Sequence, residues 1–282
     1  MTNQASIANE TFAVVGATGK TGLRVLQSLE QLGYDTRGLS RNSDYVFDWT
    51  DQSGWRQALE GVQKAYVTYF PDLAVPQAES DIRDFVALAK SVGVKHIVLL
   101  SGRGEEGAQR AENVVINSGL DWNIVRASWF MQNFSESFMV DGLKAGELLL
   151  PEPKADEPFI DVNDIADVAV AALIHPSLRN QLFEVTGPEL LSFAYCVKAI
   201  GTASHRNITF KTAPVEAYIQ GAKSQGLPDD IAWLLNELFE VVLDGRNEST
   251  TNTIEQVLGR PARRFEDYVA STVNTGAWSA AS

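Results

Sequence analysis

The sequence lacks the residues from which several classes of protein are built. Its 282 residues include one cysteine and three histidines, which excludes an intramolecular disulfide framework and a cysteine-based zinc cluster. The histidines, His96, His175 and His205, do not lie at metal-ligand spacing, so the sequence predicts no metal site. We expect the single cysteine, Cys196, to be a buried structural residue rather than a reactive thiol.

The chain is also short of basic side chains and of long apolar runs. It has 23 Lys and Arg against 36 Asp and Glu, a net charge of −13. Because duplex binding depends on neutralising phosphates, this balance argues against a nucleic-acid partner. No apolar run reaches the roughly 18 residues of a membrane span, and the N-terminal segment does not resemble a signal peptide. We therefore expect a cytoplasmic protein with no membrane partner.

The first two-thirds of the chain alternates strand-like and helix-like segments. Short apolar runs begin at Phe12, Ala65 and Ile97, and apolar residues at helical spacing follow each run. Strands separated by helices of roughly 10–15 residues indicate βαβ units. The sequence therefore predicts an α/β fold, with a doubly wound parallel sheet as one domain over residues 10–190.

The remaining third of the chain has a helical pattern. Apolar residues from Ile231 to Val242 repeat at helical spacing and predict one long amphipathic helix. We expect residues 191–282 to form a smaller, mostly helical region that caps the sheet edge where a substrate would bind. The residues from Trp278 onward are predicted to be a frayed end.

A glycine-rich loop directly after the first predicted strand is the most informative motif. It reads Gly16-Ala17-Thr18-Gly19-Lys20-Thr21-Gly22 and opens the first predicted helix. Glycine lets the backbone approach a pyrophosphate, and the helix N-terminus supplies N–H groups and a positive dipole. The GxxGxxG spacing is typical of the Rossmann domain of short-chain dehydrogenases. A nucleotide triphosphatase loop would need glycine where Val14 stands, and a glycine turn without a ligand is the other alternative.

The end of the second predicted strand favours NADPH over NADH. An acidic residue there bonds the ribose 2′-hydroxyl, whereas an arginine accommodates the 2′-phosphate. The segment from Thr36 to Asn42 has no acid and carries Arg41 near its end, so we expect Arg41 to bind the 2′-phosphate. The alternative is a solvated surface arginine. Asp48 is placed to meet the adenine, unless it caps its own loop.

The catalytic pair of the ketone-reducing short-chain dehydrogenases is missing. Those enzymes carry Tyr-x-x-x-Lys, whose tyrosine donates a proton, on the helix that reads Ala108 to Asn113 here. Ser101 stands where they keep a catalytic serine, but it fits a turn or cap residue equally well. Without a proton donor, hydride transfer suits an iminium cation, which hydride neutralises, or a quinone, whose anion water can protonate. A nucleotide-binding site that catalyses nothing also fits.

Six further stretches, together with the glycine loop and the missing pair, resemble the NmrA-like atypical short-chain dehydrogenases. Within that family the sequence is most similar to the ergot-alkaloid biosynthesis reductases of the festuclavine/agroclavine dehydrogenase type. The resemblance covers nearly the whole chain and rests on residues 47–49, 118–126, 129–134, 159–166, 187–191 and 259–261. One departure is Ala127, where the family usually has proline, so we expect the loop leading to Trp129 to differ.

The resemblance implies NADPH-dependent reduction of a C=N⁺ bond in a small-molecule electrophile. It places Tyr69, Phe70 and Pro71 beside the nicotinamide ribose, and Ser101 and Gly102 beside the nicotinamide. Related chains act on quinones and triphenylmethane dyes, and others only sense nucleotide while binding a regulatory protein.

The same resemblance implies a substrate pocket lined by Trp129, Phe130 and Asn133. From the residues alone, this aromatic cluster fits a pocket wall and an ordinary core equally well. Glu105 and Glu106 follow the predicted nicotinamide end of the cleft, where they either attract a cation and relay protons or form a solvated acidic loop.

The sequence thus predicts an NADPH-dependent reductase of iminium-like or quinone-like electrophiles. The alternative hypothesis is a non-catalytic dinucleotide sensor of the NmrA type with a regulatory protein partner. The oligomeric state stays open.

Overall fold

The computed structural model describes residues 10–280 and divides into two compact units. The first unit contains the chain up to residue 126 together with residues 165–184, and the second contains residues 127–164 together with the chain from 185 onward. The chain therefore passes between the units after residues 126, 164 and 184. Sequence analysis instead assigned two successive segments, 10–190 and 191–282.

A seven-stranded sheet organises the first unit, which confirms the predicted α/β fold. Its strands are β1 (Thr11–Val15), β2 (Asp35–Ser40), β3 (Tyr45–Val46), β4 (Val62–Val67), β5 (His96–Gly102), β6 (Asp121–Ala127) and β8 (Gln181–Val185). They lie in the order β3-β2-β1-β4-β5-β6-β8. The pairings from β3 to β5 are parallel, with Val14 of β1 opposite Gly38 of β2 and Tyr66 of β4.

Helices connect these strands and cover the sheet. The central strands read as continuous apolar runs because both faces of the sheet are buried: Phe12, Ala13 and Val14 are inaccessible to solvent. Glycines in the left-handed conformation end two of the helices, at Gly33 and Gly93. The helices are α1 (Lys20–Gln31), α2 (Trp55–Leu59), α3 (Ala78–Val92), α4 (Glu106–Ile116) and α6 (Val162–Ile174).

The second unit is mostly helical and has its own aromatic core. Phe134, Phe159, Phe193 and Phe265 meet edge to face, a favoured arrangement of aromatic rings. Its two strands, β7 (Glu147–Pro151) and β9 (Thr209–Ala213), pair in parallel. Its helices are α5 (Met139–Ala145), α7 (Phe193–Ala203), α8 (Val215–Ser224), α9 (Asp229–Asn236), α10 (Thr253–Leu258) and α11 (Phe265–Val273).

Two segments of the second unit differ from their predicted form. The predicted helix from Ile231 to Val242 begins as α9 but continues from Glu237 to Val242 with π-helical hydrogen bonding. The prediction of a frayed end at Trp278 is wrong. Its side chain is 1% exposed, and its indole N–H donates to the Phe134 carbonyl over 2.7 Å. Arg206 in turn donates to the carbonyl of Trp278.

Cys196 lies on α7 and is completely buried, as predicted for a structural cysteine. Burial raises the pKa of its thiol well above the usual value, so the thiolate needed for reactivity is disfavoured. Among residues 10–280, no helix is both long and apolar enough to cross a bilayer.

Candidate functional site

The glycine loop joins β1 to α1 at the carboxyl edge of the sheet. Gly16 adopts the left-handed conformation, with φ of 77°, and its N–H donates to the Leu39 carbonyl at the end of β2. A Cβ atom on Gly16 would overlap the Thr68 hydroxyl, which donates to the Val15 carbonyl. The first glycine is therefore required both by its backbone conformation and by a neighbouring strand end.

The other two glycines bring the loop close to the first turn of α1. The N–H of Gly19 donates to the Gly16 carbonyl over 2.9 Å. A Cβ atom on Gly22 would overlap that same carbonyl oxygen, so only glycine lets the helix begin this close to the loop. The first N–H groups of a helix have no partner within the helix, and they carry its positive dipole end. This cradle fits a pyrophosphate group.

The remaining predicted loop residues differ in what they offer a ligand. Thr18 is exposed and Lys20 is half-buried, so both side chains have access to solvent beside the loop. Thr21 is buried, and its hydroxyl faces the phenol of Tyr66 on β4. Burial raises the pKa of Tyr66 far above its usual value, so this phenol stays protonated.

Arg41 follows directly after β2 and is exposed. Its guanidinium lies over the ring of Phe70, 5.6 Å from the centroid, in a cation–π contact. Phe70 is itself 67% exposed, an unusual position for a large apolar ring. The two predicted cofactor residues, 29 positions apart, are thus brought together by the ends of β2 and β4. A planar base and a phosphate are the groups such a pair recognises.

Asp48 has a local partner. One carboxylate oxygen accepts hydrogen bonds from both the N–H and the hydroxyl of Thr50, each over 2.9 Å. The backbone bond from Thr50 is the main reason that the pKa of Asp48 is lowered. This geometry is that of an aspartate that caps its own loop. Contact with an adenine stays a prediction.

Tyr69 lies in the loop after β4, and its hydroxyl group already has a hydrogen-bond acceptor within the protein. Its hydroxyl donates to the buried carboxylate of Asp81 on α3 over 2.6 Å, and its ring packs against Trp49. Burial, followed by the bond to Asp81, raises the pKa of Tyr69 far above its usual value. The phenol is therefore held as a donor to Asp81 rather than to a ligand. The next bond in this loop, Phe70–Pro71, is a cis peptide.

Ser101 lies at the end of β5 and donates its hydroxyl proton to Glu112 on α4 over 2.6 Å. Glu112 is 2% exposed and forms a bidentate ion pair with Arg126 of β6, with bonds of 2.9 and 2.5 Å. Glu112 is the main reason that the pKa of Arg126 is raised. Since a serine has one proton and Glu112 takes it, the Ser101 oxygen can only accept a hydrogen bond from a bound molecule. Ser101 thus has no hydroxyl proton left for a substrate, and a catalytic role for Ser101 stays a prediction.

Glu105 and Glu106 have different surroundings although they are adjacent. Glu106 is exposed, as a solvated loop requires. Glu105 is 5% exposed, so the alternative of a solvated acidic loop is wrong for this residue. Its carboxyl group occupies the space in which a side chain on Gly102 would lie. Only glycine at position 102 leaves this space for the Glu105 carboxyl group.

The residues predicted to line a substrate pocket lie in the second unit. Trp129 is 9% exposed, and its ring meets Phe193 and Phe239 edge to face. Phe130 and Asn133 are half-buried, and the Asn133 N–H donates to the Phe130 carbonyl. Trp129 therefore takes part in the aromatic core of this unit. A pocket role for the three residues stays a prediction.

Sequence reasoning missed several polar residues because their partners are distant in the chain. Glu112 carries no motif that reveals its partners Ser101 and Arg126. A signal was present for Asp164, which is completely buried and binds the side chains of Arg260 and Arg263. Asp164 lies in stretch 159–166 and Arg260 in stretch 259–261, two of the stretches that carried the resemblance, and Arg263 follows shortly after the second. Those stretches therefore meet in the second unit to pair a buried carboxylate.

The chain belongs to the NmrA-like family, whose profile matches residues 8–272. It is 30% identical to the NAD(P)H azoreductase of Xenophilus azovorans over 90% of this chain and 95% of that one. It is 28% identical to the agroclavine dehydrogenase of Claviceps fusiformis, covering 94% and 98% of the two chains. The NADPH-dependent quinone oxidoreductase of Escherichia coli, solved with NADPH, superposes with a TM-score of 0.77 at 20% identity, covering 92% of this chain and 99% of that one. That likeness confirms the Rossmann-type fold.

Proposed function

We propose that this chain, as a member of the NmrA-like family, is an NAD(P)H-dependent oxidoreductase that delivers hydride to a small electrophilic molecule. The single observation that carries the proposal is the cradle at residues 16–22, where two of the three glycines leave no room for a Cβ atom. Relatives over nearly the whole chain are named as an NAD(P)H azoreductase and an agroclavine dehydrogenase. When bound, the nicotinamide supplies the hydride.

The residues of the first unit support a preference for NADPH. No acidic residue follows β2 at the place where NADH-dependent folds keep one, and the exposed Arg41 stands there instead. A guanidinium binds a phosphate group through two charge-assisted bonds. We propose that Arg41 binds the 2′-phosphate while the Phe70 ring covers the adjacent base, a contact already prepared by their stacking.

At the other end of the cleft, the chain orients the cofactor and does not donate the proton of a Tyr/Lys pair. Helix α4 carries neither residue of that pair between Ala108 and Asn113. The Ser101 oxygen is held as an acceptor by Glu112. It is suited to receive a hydrogen bond from the amide group of a nicotinamide and so to fix the ring. Electrophiles that hydride alone neutralises, such as iminium and triphenylmethyl cations, are the substrates that this arrangement favours.

The test follows NADPH oxidation with purified protein and a panel of acceptors: iminium salts, quinones, neutral azo dyes and triphenylmethane dye cations. We expect acceptor-dependent loss of NADPH absorbance, and we expect it to be abolished in Gly22→Ala, whose added Cβ overlaps the Gly16 carbonyl. The matched control is Gly221→Ala, a helical glycine with open space around it. Tight NADPH binding with no oxidation by any acceptor would contradict the proposed reductase activity and favour the hypothesis of a non-catalytic dinucleotide sensor.

A further inference from the structure

A groove between α8 and α9, in the second unit, is lined by residues that have no part in the proposed reaction. Val215 and Ile219 recur at four-residue spacing and so lie on one face of α8. Ala232, Trp233 and Asn236 line the groove from α9. Its volume is about 510 Å³, within the roughly 300–1,000 Å³ that small-molecule sites occupy.

A tight turn holds the two helices side by side. Gly226 adopts the left-handed conformation, with φ of 96°. Its N–H donates to the Lys223 carbonyl, and the Leu227 N–H donates to the Ala222 carbonyl. These bonds end α8 as a glycine after a helix usually does, and α9 begins directly after Pro228. Helices joined by so short a connection are antiparallel neighbours, and α8 packs against α9 here.

The groove combines an apolar floor with an exposed aromatic ring. Val215 and Ala232 are buried, so they form the floor, and Ile219 is half-buried beside them. Trp233 is 39% exposed. A large ring in that position leaves much of its surface for a ligand. Among the aromatic side chains, the indole ring attracts a cation most strongly.

The charged residues around the groove are paired, with one exception. Lys223 bonds Asp229 over 2.7 Å, and Lys154, in the loop after β7, pairs with Glu240. Glu216 is exposed and forms no ion pair or hydrogen bond through its side chain anywhere within residues 10–280. The groove therefore presents one negative charge that no basic side chain balances.

Two amide side chains at the groove are also available to a ligand. In the part of the chain that the structure describes, the side chains of Gln220 and Asn236 take part in no hydrogen bond. Glu240 reaches the groove from the π-helical turn after α9, and such turns are frequent at functional sites. A few free polar groups above an apolar floor are typical of a ligand pocket.

We propose that the α8–α9 groove binds flat organic cations, with the charged nitrogen between the Glu216 carboxylate and the Trp233 ring. The carboxylate and the ring both attract a cation, while the apolar part of the ligand covers the floor. A neutral molecule of the same shape gains only from the floor and the ring. The class includes iminium and triphenylmethyl cations. The inference goes beyond the proposed function, because binding requires no hydride transfer.

The experiment measures binding of the N-methylacridinium cation by equilibrium dialysis against the full chain. Acridine, which is neutral at mildly alkaline pH, is the matched ligand without charge. Saturating NADP⁺ is present throughout, because it fills the glycine cradle and has no hydride to give. We expect one cation to bind per chain, more tightly than acridine, and its affinity to fall as salt screens the carboxylate.

Two variants test the two attractions separately. Glu216→Gln keeps the shape of the side chain and removes its charge, so cation affinity should fall by about two- to fivefold, as for an exposed ion pair. Acridine affinity should not change. Trp233→Leu keeps an apolar side chain without a π face, and it should weaken cation binding by about fivefold. The matched control is Glu255→Gln, at an exposed acid on α10, which should bind as wild type does.

Several outcomes would overturn the groove as a cation site. These are equal affinity for the cation and for acridine in wild type, no binding of either, or unchanged cation affinity in Glu216→Gln or Trp233→Leu. Equal losses in Glu216→Gln and Glu255→Gln would show attraction to the acidic surface as a whole. Since the readout is binding, failure of the groove leaves the proposed function intact, and failure to oxidise NADPH leaves the groove intact.

Discussion

Two hydroxyl groups at the carboxyl edge of the sheet each donate a hydrogen bond to a buried carboxylate. The Ser101 hydroxyl donates a hydrogen bond to Glu112, and the Tyr69 hydroxyl donates one to Asp81, so neither has a second proton to donate. Neither hydroxyl group is therefore placed to act as the proton donor that the tyrosine of a Tyr-x-x-x-Lys pair supplies.

Arg41 carries the strongest prediction for a single residue. We expect Arg41→Ala to weaken NADPH binding by about 1.5–3 kcal/mol, as for a lost hydrogen bond to a charged group, and to leave NADH binding nearly unchanged. Titration of both nucleotides by the change in cofactor fluorescence measures the two affinities. Arg56→Ala, an exposed arginine on α2, is the control that should affect neither. Equal losses for NADPH and NADH would show that Arg41 does not select the phosphate.

The glycine loop could be predicted from the sequence, whereas the carboxylate partners of Ser101 and Tyr69 could not. The loop is contiguous, and its spacing follows from the local demands of a strand, a turn and a helix. Glu112 lies 11 positions from Ser101 and Asp81 lies 12 positions from Tyr69, and nothing in the sequence marks either acid as a buried partner. Glu105 and Glu106 are adjacent in the sequence, and nothing there shows that Glu105 is buried while Glu106 is exposed.

At the scale of elements, the start of α1 depends on the absence of one methyl group. The helix begins against the Gly16 carbonyl, and its third residue is Gly22. The helical glycine Gly221 has no such reason. Around Gly221, in the middle of α8, the described part of the chain places no atom other than neighbouring backbone of α8 itself within 4 Å of the position that a methyl group would take.

The two helical glycines should respond to the same substitution with opposite sign. Gly22→Ala forces α1 away from the loop and should lower the free energy of unfolding by about 1–3 kcal/mol, as for an overpacked core. Gly221→Ala should raise it by about 0.5–1 kcal/mol, because alanine has less conformational entropy to lose. Urea unfolding of both variants measures the difference. Destabilisation by Gly221→Ala would mean that α8 makes contacts that its glycine conceals.

Helices with regular apolar spacing were predicted well, and the segments that depend on distant partners were not. Helical periodicity predicted the segment from Ile231 onward, but periodicity does not distinguish α-helical from π-helical hydrogen bonding after Asn236. The end of the chain gave only a weak local pattern, and yet Trp278 is buried against Phe134. Burial of a residue near the chain end is decided by the surface that it meets, which lies far away in sequence.

At the scale of the whole molecule, the interleaving of the units could not be predicted from composition. Sequence reasoning divides a chain where its pattern changes, at residue 190 here. The structure instead gives residues 127–164 to the second unit, although they lie between two strands of the seven-stranded sheet. Tertiary contacts alone decide to which unit such an insertion belongs.

Acid should destabilise the fold through His96. This residue is completely buried on β5, and its Nε2–H donates to the Asn123 side chain. Burial lowers the pKa of His96 to about 4 from the usual 6.5. The unfolded chain therefore binds a proton between pH 6.5 and 4 that the folded chain refuses, and stability falls as the pH drops through this range.

The size of this effect follows from the same shift. At pH 5 His96 should cost about 2 kcal/mol of stability relative to pH 7. Urea unfolding at the two pH values should show this loss in wild type and a smaller one in His96→Gln. The control is His175→Gln, at an exposed position, which should keep the wild-type dependence. An unchanged dependence in His96→Gln would show that other groups govern acid unfolding.

The three passages of the chain between the units, after residues 126, 164 and 184, govern how this scaffold can be recombined with its relatives. A chimera with one crossover near residue 190 would separate residues 127–164 from the segment with which they form their core, as in the contact between Phe134 and Phe265. Exchange of the second unit between family members therefore requires both segments to be transplanted at once.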